Sequence, residues 1–179
     1  ADKGLMAVVV DAPSDRLRAP FLNGFRQTEE HAADLKATIA WARATAKVPV
    51  WLVGTSRGTQ SAAYAATVLQ GADAPDGVVL TATILSDDKQ RPVPAMPLEQ
   101  IKVPVLVVHH QQDGCSYCAY SEIPNLMAKL THTPRSHLIT ATGGKNQGDA
   151  CAAFAYHGFN GLEADVVGQM ADWILAPAR

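Results

Sequence analysis

Val48-Pro49-Val50-Trp51-Leu52-Val53-Gly54-Thr55-Ser56-Arg57-Gly58-Thr59-Gln60-Ser61-Ala62-Ala63 runs from an apolar stretch, through Gly-x-Ser-x-Gly, into a row of small residues. The apolar stretch suits a buried strand and the small-residue row suits a helix. A serine between the two must turn so sharply that its backbone is strained, and glycines two residues to either side leave room for strand and helix to approach. Such a turn lifts the serine Oγ above the sheet edge. It also aims the helix N-terminus, with the Arg57 N–H, at any anion that forms there. Gly-x-Ser-x-Gly occurs by chance in loops, but the flanking strand and helix give this copy the context of a nucleophile elbow.

Outward from this stretch, strand-like and helix-like segments alternate. Residues 5–11 (LMAVVVD) form a continuous apolar, β-branched run that predicts a strand buried on both faces of a parallel sheet. A helix is predicted over 28–45, where Ala32, Leu35, Ile39 and Ala42 recur at helical spacing behind the cap Thr28-Glu29-Glu30. The elbow helix is predicted over 59–70, stopped by Gly71. Further strands are predicted at 77–85 (GVVLTATIL), 103–110 (VPVLVVHH) and 136–142 (SHLITAT), with helices over 121–130 and 161–175. The Pro-rich stretch 87–104 is too broken for a long helix. The expected fold is one α/β domain over residues 1–179, doubly wound, with a mainly parallel sheet and helices on both faces.

Bulk composition narrows the function classes. The 179 residues are enough for one domain with a sizeable core; 47% are hydrophobic, and 15 Lys and Arg against 17 Asp and Glu leave a formal net charge of −2. With no basic cluster along the chain, neither nucleic acid nor an anionic membrane surface is an expected partner. No apolar stretch approaches the ~20 residues of a membrane span. The chain starts at Ala1 with no signal-peptide pattern, so a processed or cut product is expected.

In doubly wound sheets, ligands sit beyond the carboxyl ends of the strands. Three chemistry-bearing residues fall there: Ser56 after the elbow strand, Asp113 in His110-Gln111-Gln112-Asp113-Gly114, and His157 in Ala155-Tyr156-His157-Gly158-Phe159 before the last helix. Serine is a weak nucleophile until a histidine takes its proton, and that histidine needs a carboxylate on its other nitrogen to fix the tautomer. Asp87 and Asp88, after the strand at 77–85, compete with Asp113 for the acid role. Of the other histidines, His31 lies in a predicted helix and His132 follows one, so both are expected at the surface, and His137 lies within a strand, where neighbours satisfy it. His109 and His110 end the strand beside Asp113, where both can line a substrate pocket, His110 being the substrate-binding candidate. Cys115-Ser116-Tyr117-Cys118 comes too late in the chain for a thioredoxin-like redox motif, and no second cysteine pair follows at zinc-ligand spacing. One of this pair can bond with Cys151, leaving the other free.

The elbow GTSRG, the segment VLVVHHQQDGC and the ending YHGFNGLEADVVGQMADWI together resemble the α/β-hydrolase superfamily of esterases and lipases, over essentially the whole chain. The resemblance implies a Ser56-His157-Asp113 triad, with Arg57 giving an oxyanion N–H and no metal or organic cofactor. It also implies a Cys115–Cys151 disulfide, with Cys118 as the alternative partner, and such a bridge favours a periplasmic or secreted protein. The chain departs from the pattern in one respect: no earlier strand ends in His-Gly to supply a second oxyanion donor. Either one or two N-terminal strands lie outside this chain, or Ala12-Pro13-Ser14 supplies the donor through the Ser14 hydroxyl, which would then contact substrate. The apolar first strand would call for a partner, as an N-terminal companion segment or a second copy of the chain. The short, polar stretch at 87–104 points to small soluble esters. Thioesterase, amidase or peptidase chemistry on the same triad, or a non-catalytic binding protein on the same fold, are the alternatives.

Overall fold

The computed structural model describes residues 3–176. Four strands, β1 (Trp51–Thr55), β2 (Gly77–Thr81), β3 (Val105–His110) and β4 (Ser136–Ala141), form one parallel sheet in the order β1-β2-β3-β4. Every residue of β2 and β3 is buried, which is why both read as unbroken apolar runs: a central parallel strand is covered on both faces.

Alternate side chains of these strands feed two cores. Val78, Leu80, Val105 and Val107 face α2 (Arg57–Val68) and α3 (Ile123–Ala128) through Ala62, Ala63, Ala66, Ile123 and Leu126. Val79, Leu106, Val108 and Ile139 face α4 (Glu163–Leu175) through Val166, Met170 and Trp173. Helices therefore lie on both faces, as doubly wound topology requires. The alanines of α2 have a second use. Ala65 and Leu69 on its outer side take Leu35 and Ile39 of α1 (Glu29–Ala46), so α2 is sandwiched between sheet and helix and has little room for larger side chains. At the start of α1, Thr28 Oγ1 accepts from His31 N–H at 3.2 Å, with Glu29 and Glu30 in the first turn. The His31 side chain, expected at the surface, is buried with its ring 5.4 Å from that of Phe25.

The connection from β2 to β3 contains two 3₁₀ turns, Val93–Ala95 and Leu98–Gln100, whose Val93 and Leu98 are fully buried. It is thus a packed strap without a long helix, as its prolines predicted. The strand expected over 77–85 stops at Thr81, because Ala82 adopts a left-handed φ of 44° and turns the chain out of the sheet.

One expected element is absent. Residues 5–11 form no strand, and Met6, Val8, Val9 and Val10 are exposed, Val9 by 95%. Among the described residues nothing pairs with this run, and β1 is the edge of the sheet. A β-branched run becomes a strand only where neighbouring strands accept its backbone groups. No described helix is long and apolar enough to cross a membrane.

Candidate active site

The elbow forms where β1 meets α2. Ser56 takes φ 50° and ψ −121°, a sparsely populated region that a β-carbon makes costly. Two bonds hold it there: Ser56 N–H donates to Thr81 O at 3.0 Å, and Thr59 Oγ1 donates to Ser56 O at 2.6 Å. The two glycines differ in what they do. A β-carbon on Gly54 would lie 2.4 Å from the carbonyl oxygen of Gly58, so no other residue fits. A β-carbon on Gly58 would meet nothing within 4 Å. The close approach of strand and helix rests on Gly54 alone, which corrects the symmetrical role the motif suggested.

Arg57 is the first residue of α2, so its backbone N–H has no acceptor within the helix and is available beside Ser56. Its guanidinium is engaged. It donates to Asp87 and lies over the Tyr117 ring, 4.7 Å from the centroid. The Asp87 side chain is 2% exposed and also accepts from the N–H groups of Lys89 and Gln90. Burial alone would raise its pKa, but these hydrogen bonds and the Arg57 charge hold it below the usual carboxylate value. Asp87, one of the two competitors for the acid role, is thereby committed to Arg57.

Asp113 and His157 meet. His157 Nδ1–H donates to Asp113 Oδ2 at 2.9 Å, and Asp113 Oδ1 accepts from Cys115 N–H at 2.9 Å. The Asp113 side chain is fully buried. With the proton on Nδ1, His157 Nε2 carries its lone pair outward; it is buried and hydrogen-bonds to no described residue, Ser56 Oγ included. His157 rides on a 3₁₀ turn, Tyr156–Gly158, where a β-carbon on Gly158 would lie 2.1 Å from Ala153 O. The structure joins Cys115 to Cys151, tying the Asp113 loop to the chain just before His157. Cys118 is the free, buried cysteine, and burial pushes its thiol up to about 12. Cys115, Cys118 and His157 donor atoms lie within 4.8 Å of one another, but a disulfide sulfur is not a thiolate, so the trio is no metal site.

The remaining candidates have other surroundings. His110 is fully buried; its Nε2–H donates to Gly143 O at 3.0 Å and its Nδ1 accepts from Gln112 N–H at 3.0 Å. Its ring stacks on Tyr156 at 4.3 Å, so it packs beneath the turn that carries His157, with both nitrogens already in use. Ser14 lies on the exposed 3₁₀ turn Ser14–Arg16 and makes no side-chain hydrogen bond with a described residue. His109, expected with His110 to line the pocket, is fully buried; its Nε2–H donates to Cys118 O at 2.7 Å and lies 3.6 Å from Asp113 Oδ2.

No family model and no curated protein matches the chain. Solved structures do. It is similar to a cold-adapted esterase from an Arctic intertidal metagenomic library (16% identity, TM-score 0.57, covering 87% of this chain and 62% of that one). It is similar also to dienelactone hydrolase from Anabaena variabilis (19%, 0.53, 83% and 60%). A third is a protein of unknown function from Agrobacterium tumefaciens, provisionally described as an α/β hydrolase (16%, 0.52, 80% and 58%). The chain has the α/β-hydrolase fold, and it spans about three fifths of the length of these structures.

Proposed function

We propose that the chain is a serine hydrolase of small carboxylic esters. Ser56 Oγ attacks the ester carbonyl carbon as His157 Nε2 takes its proton. The C–O bond of the tetrahedral adduct breaks, and the alcohol leaves with that proton. Water then repeats the sequence on the acyl-enzyme, releasing the acid and restoring Ser56. Asp113 keeps His157 in the Nδ1–H tautomer and offsets the positive charge of the imidazolium. The Arg57 N–H, at the positive end of α2, donates to the oxyanion.

The observation that carries this reading is the Asp113–His157 bond of 2.9 Å, with the opposite nitrogen unpartnered and buried. Buried His31 and His109 also carry an unpartnered ring nitrogen, but neither hydrogen-bonds to a carboxylate as His157 does, so the carboxylate bond is what sets His157 apart. The strained Ser56 supports it too, since backbone strain persists where the surroundings over-determine it. The strap between β2 and β3 contains only short 3₁₀ turns, which favours short acyl chains over long lipid ones.

The test is hydrolysis of p-nitrophenyl esters from acetate to palmitate by the wild type, Ser56→Ala and Asp113→Asn. Turnover should be greatest at short chain length. Ser56→Ala should abolish it, and Asp113→Asn should lower it by roughly 10³-fold or more. Equal rates for the wild type and Ser56→Ala would overturn the proposal.

A further inference from the structure

A cavity of about 320 Å³ adjoins the elbow, lined by Arg26, Arg57, Asn23, Gln90, Phe21 and Leu22 among others. Its two arginines are in different situations. Arg57 is matched by the buried carboxylate of Asp87 and braced on Tyr117. Arg26 is half-buried and donates from Nη1 to Ser61 Oγ at 3.1 Å, and among the described residues no carboxylate lies within ion-pair distance of it. Burial and the neighbouring Arg57 charge both lower its pKa.

A guanidinium held partly out of water, beside a second cation and without a counter-ion, is an unfavourable arrangement unless something negative joins it. Arg26 and Arg57 against Asp87 leave one net positive charge, which a single anion balances. The rest of the wall suits a small organic anion. Gln90 donates to Asn23 and accepts from Gly24 N–H, which fixes the amide side of the cavity, while Phe21 and Leu22 give it an apolar side.

We infer that this cavity binds a carboxylate carried by the substrate, so that the favoured esters are short ones bearing one free carboxyl group, such as half-esters of dicarboxylic acids. Arg26 is the principal ligand. Its planar fork of donors matches a carboxylate in two-point contact, and Arg57 adds charge from the residue next to Ser56. The inference deepens the serine-esterase reading and rests on it.

Two measurements test it. The first compares kcat/KM for mono-p-nitrophenyl glutarate with that for p-nitrophenyl butyrate in the wild type, Arg26→Met and Arg26→Lys. The ratio of charged to neutral ester should fall about tenfold in Arg26→Met, chiefly through KM, and recover in part in Arg26→Lys. An unchanged ratio overturns the inference, whatever happens to the absolute rates. The second is calorimetric titration of monomethyl glutarate and of inorganic phosphate into Ser56→Ala, and into Ser56→Ala with Arg26→Met. Binding of the half-ester that is lost with Arg26 supports the carboxylate site; no binding, or binding of phosphate alone, overturns it. If no ester is cleaved at all, the esterase reading fails by itself, and the calorimetry still decides the cavity.

Discussion

Residues 5–11 and strand β3 are nearly the same kind of sequence, LMAVVVD and VLVVHH, and they end in opposite states. All of β3 is fully buried and hydrogen-bonded to β2 on one side and β4 on the other. The earlier run forms no ladder and leaves four apolar side chains in water. What separates them is neighbours. An apolar run gains free energy by leaving water only if its peptide groups find partners in the same place. β1 is the intermediate case: paired to β2 along one edge, with Val53 half exposed.

If burial between two neighbours is what distinguishes β3, a charge placed there should be ruinous. Val107 is fully buried, opposite Leu80 and Leu138 in the ladder. Val107→Asp puts an unpaired carboxylate in the core and should cost more than about 4 kcal/mol, enough to remove cooperative unfolding. Urea titration followed by circular dichroism reads this; a midpoint within error of the wild type would mean that β3 is not the central strand described.

The disulfide sharpens the contrast from the other end. The loop leaving β3 is fastened by Cys115–Cys151, whose sequence separation is 36; residues 5–11 have no such tie. Closing a loop of that size removes entropy from the unfolded chain corresponding to about 3–4 kcal/mol. Cys115→Ala with Cys151→Ala should lower stability by about that amount. It should also lower turnover, because Cys115 N–H and the bridge both steady Asp113. Denaturant midpoints with and without reductant measure the first effect. A protein equally stable in both would show that the bridge contributes nothing to the fold.

These differences explain which parts of the molecule were legible in its sequence. β2, β3 and α1 were readable because their patterns are local consequences of burial on two faces or of one stripe, and the Thr28 cap sits where its residue type predicts. Chain order puts Ser56 and Asp113 just beyond strands and His157 in the long connection before the last helix, and the structure brings Asp113 and His157 together. The failures are long-range. Nothing in LMAVVVD says whether a neighbouring strand exists. Asp87 looks like any loop aspartate until Arg57 comes round the elbow to meet it. His110 could not be told from a pocket residue until Gly143 and Gln112 took both its nitrogens. Arg26, before the first helix, carries no local sign that it faces Arg57.

β3 also carries a buried titratable residue, His109, one position before its end, which gives the buried run a pH dependence. Burial holds the His109 imidazole below its ordinary value of 6.5; the Cys118 carbonyl and Asp113 only partly offset this. The folded state therefore keeps His109 neutral, while the unfolded chain takes up a proton as pH drops through 6.5. The stabilisation is fully present above that pH and is lost as pH falls from 6.5 towards the folded pKa. The slope attributable to His109 should be at most about 1.4 kcal/mol per pH unit. His31, also lowered chiefly by burial, adds in the same direction. Urea midpoints between pH 7.5 and 5 should fall more steeply for the wild type than for His109→Gln; parallel slopes would show that His109 does not titrate on unfolding.

The smallest effect belongs to the exposed run and is the most direct check on the comparison. Val9 is 95% exposed, so Val9→Asp removes almost no buried surface and places its charge in water. The change should stay within about 0.5 kcal/mol, against the collapse expected for the same substitution at Val107. Backbone amides over residues 6–10 should exchange with solvent near unprotected rates, while those of β3 exchange only with global unfolding. A Val9→Asp loss above about 1 kcal/mol, together with protected amides at 6–10, would mean that the run is covered in solution. Dilution then identifies the cover: a loss that shrinks as protein concentration falls comes from a second copy of the chain, and one that does not comes from contacts within it.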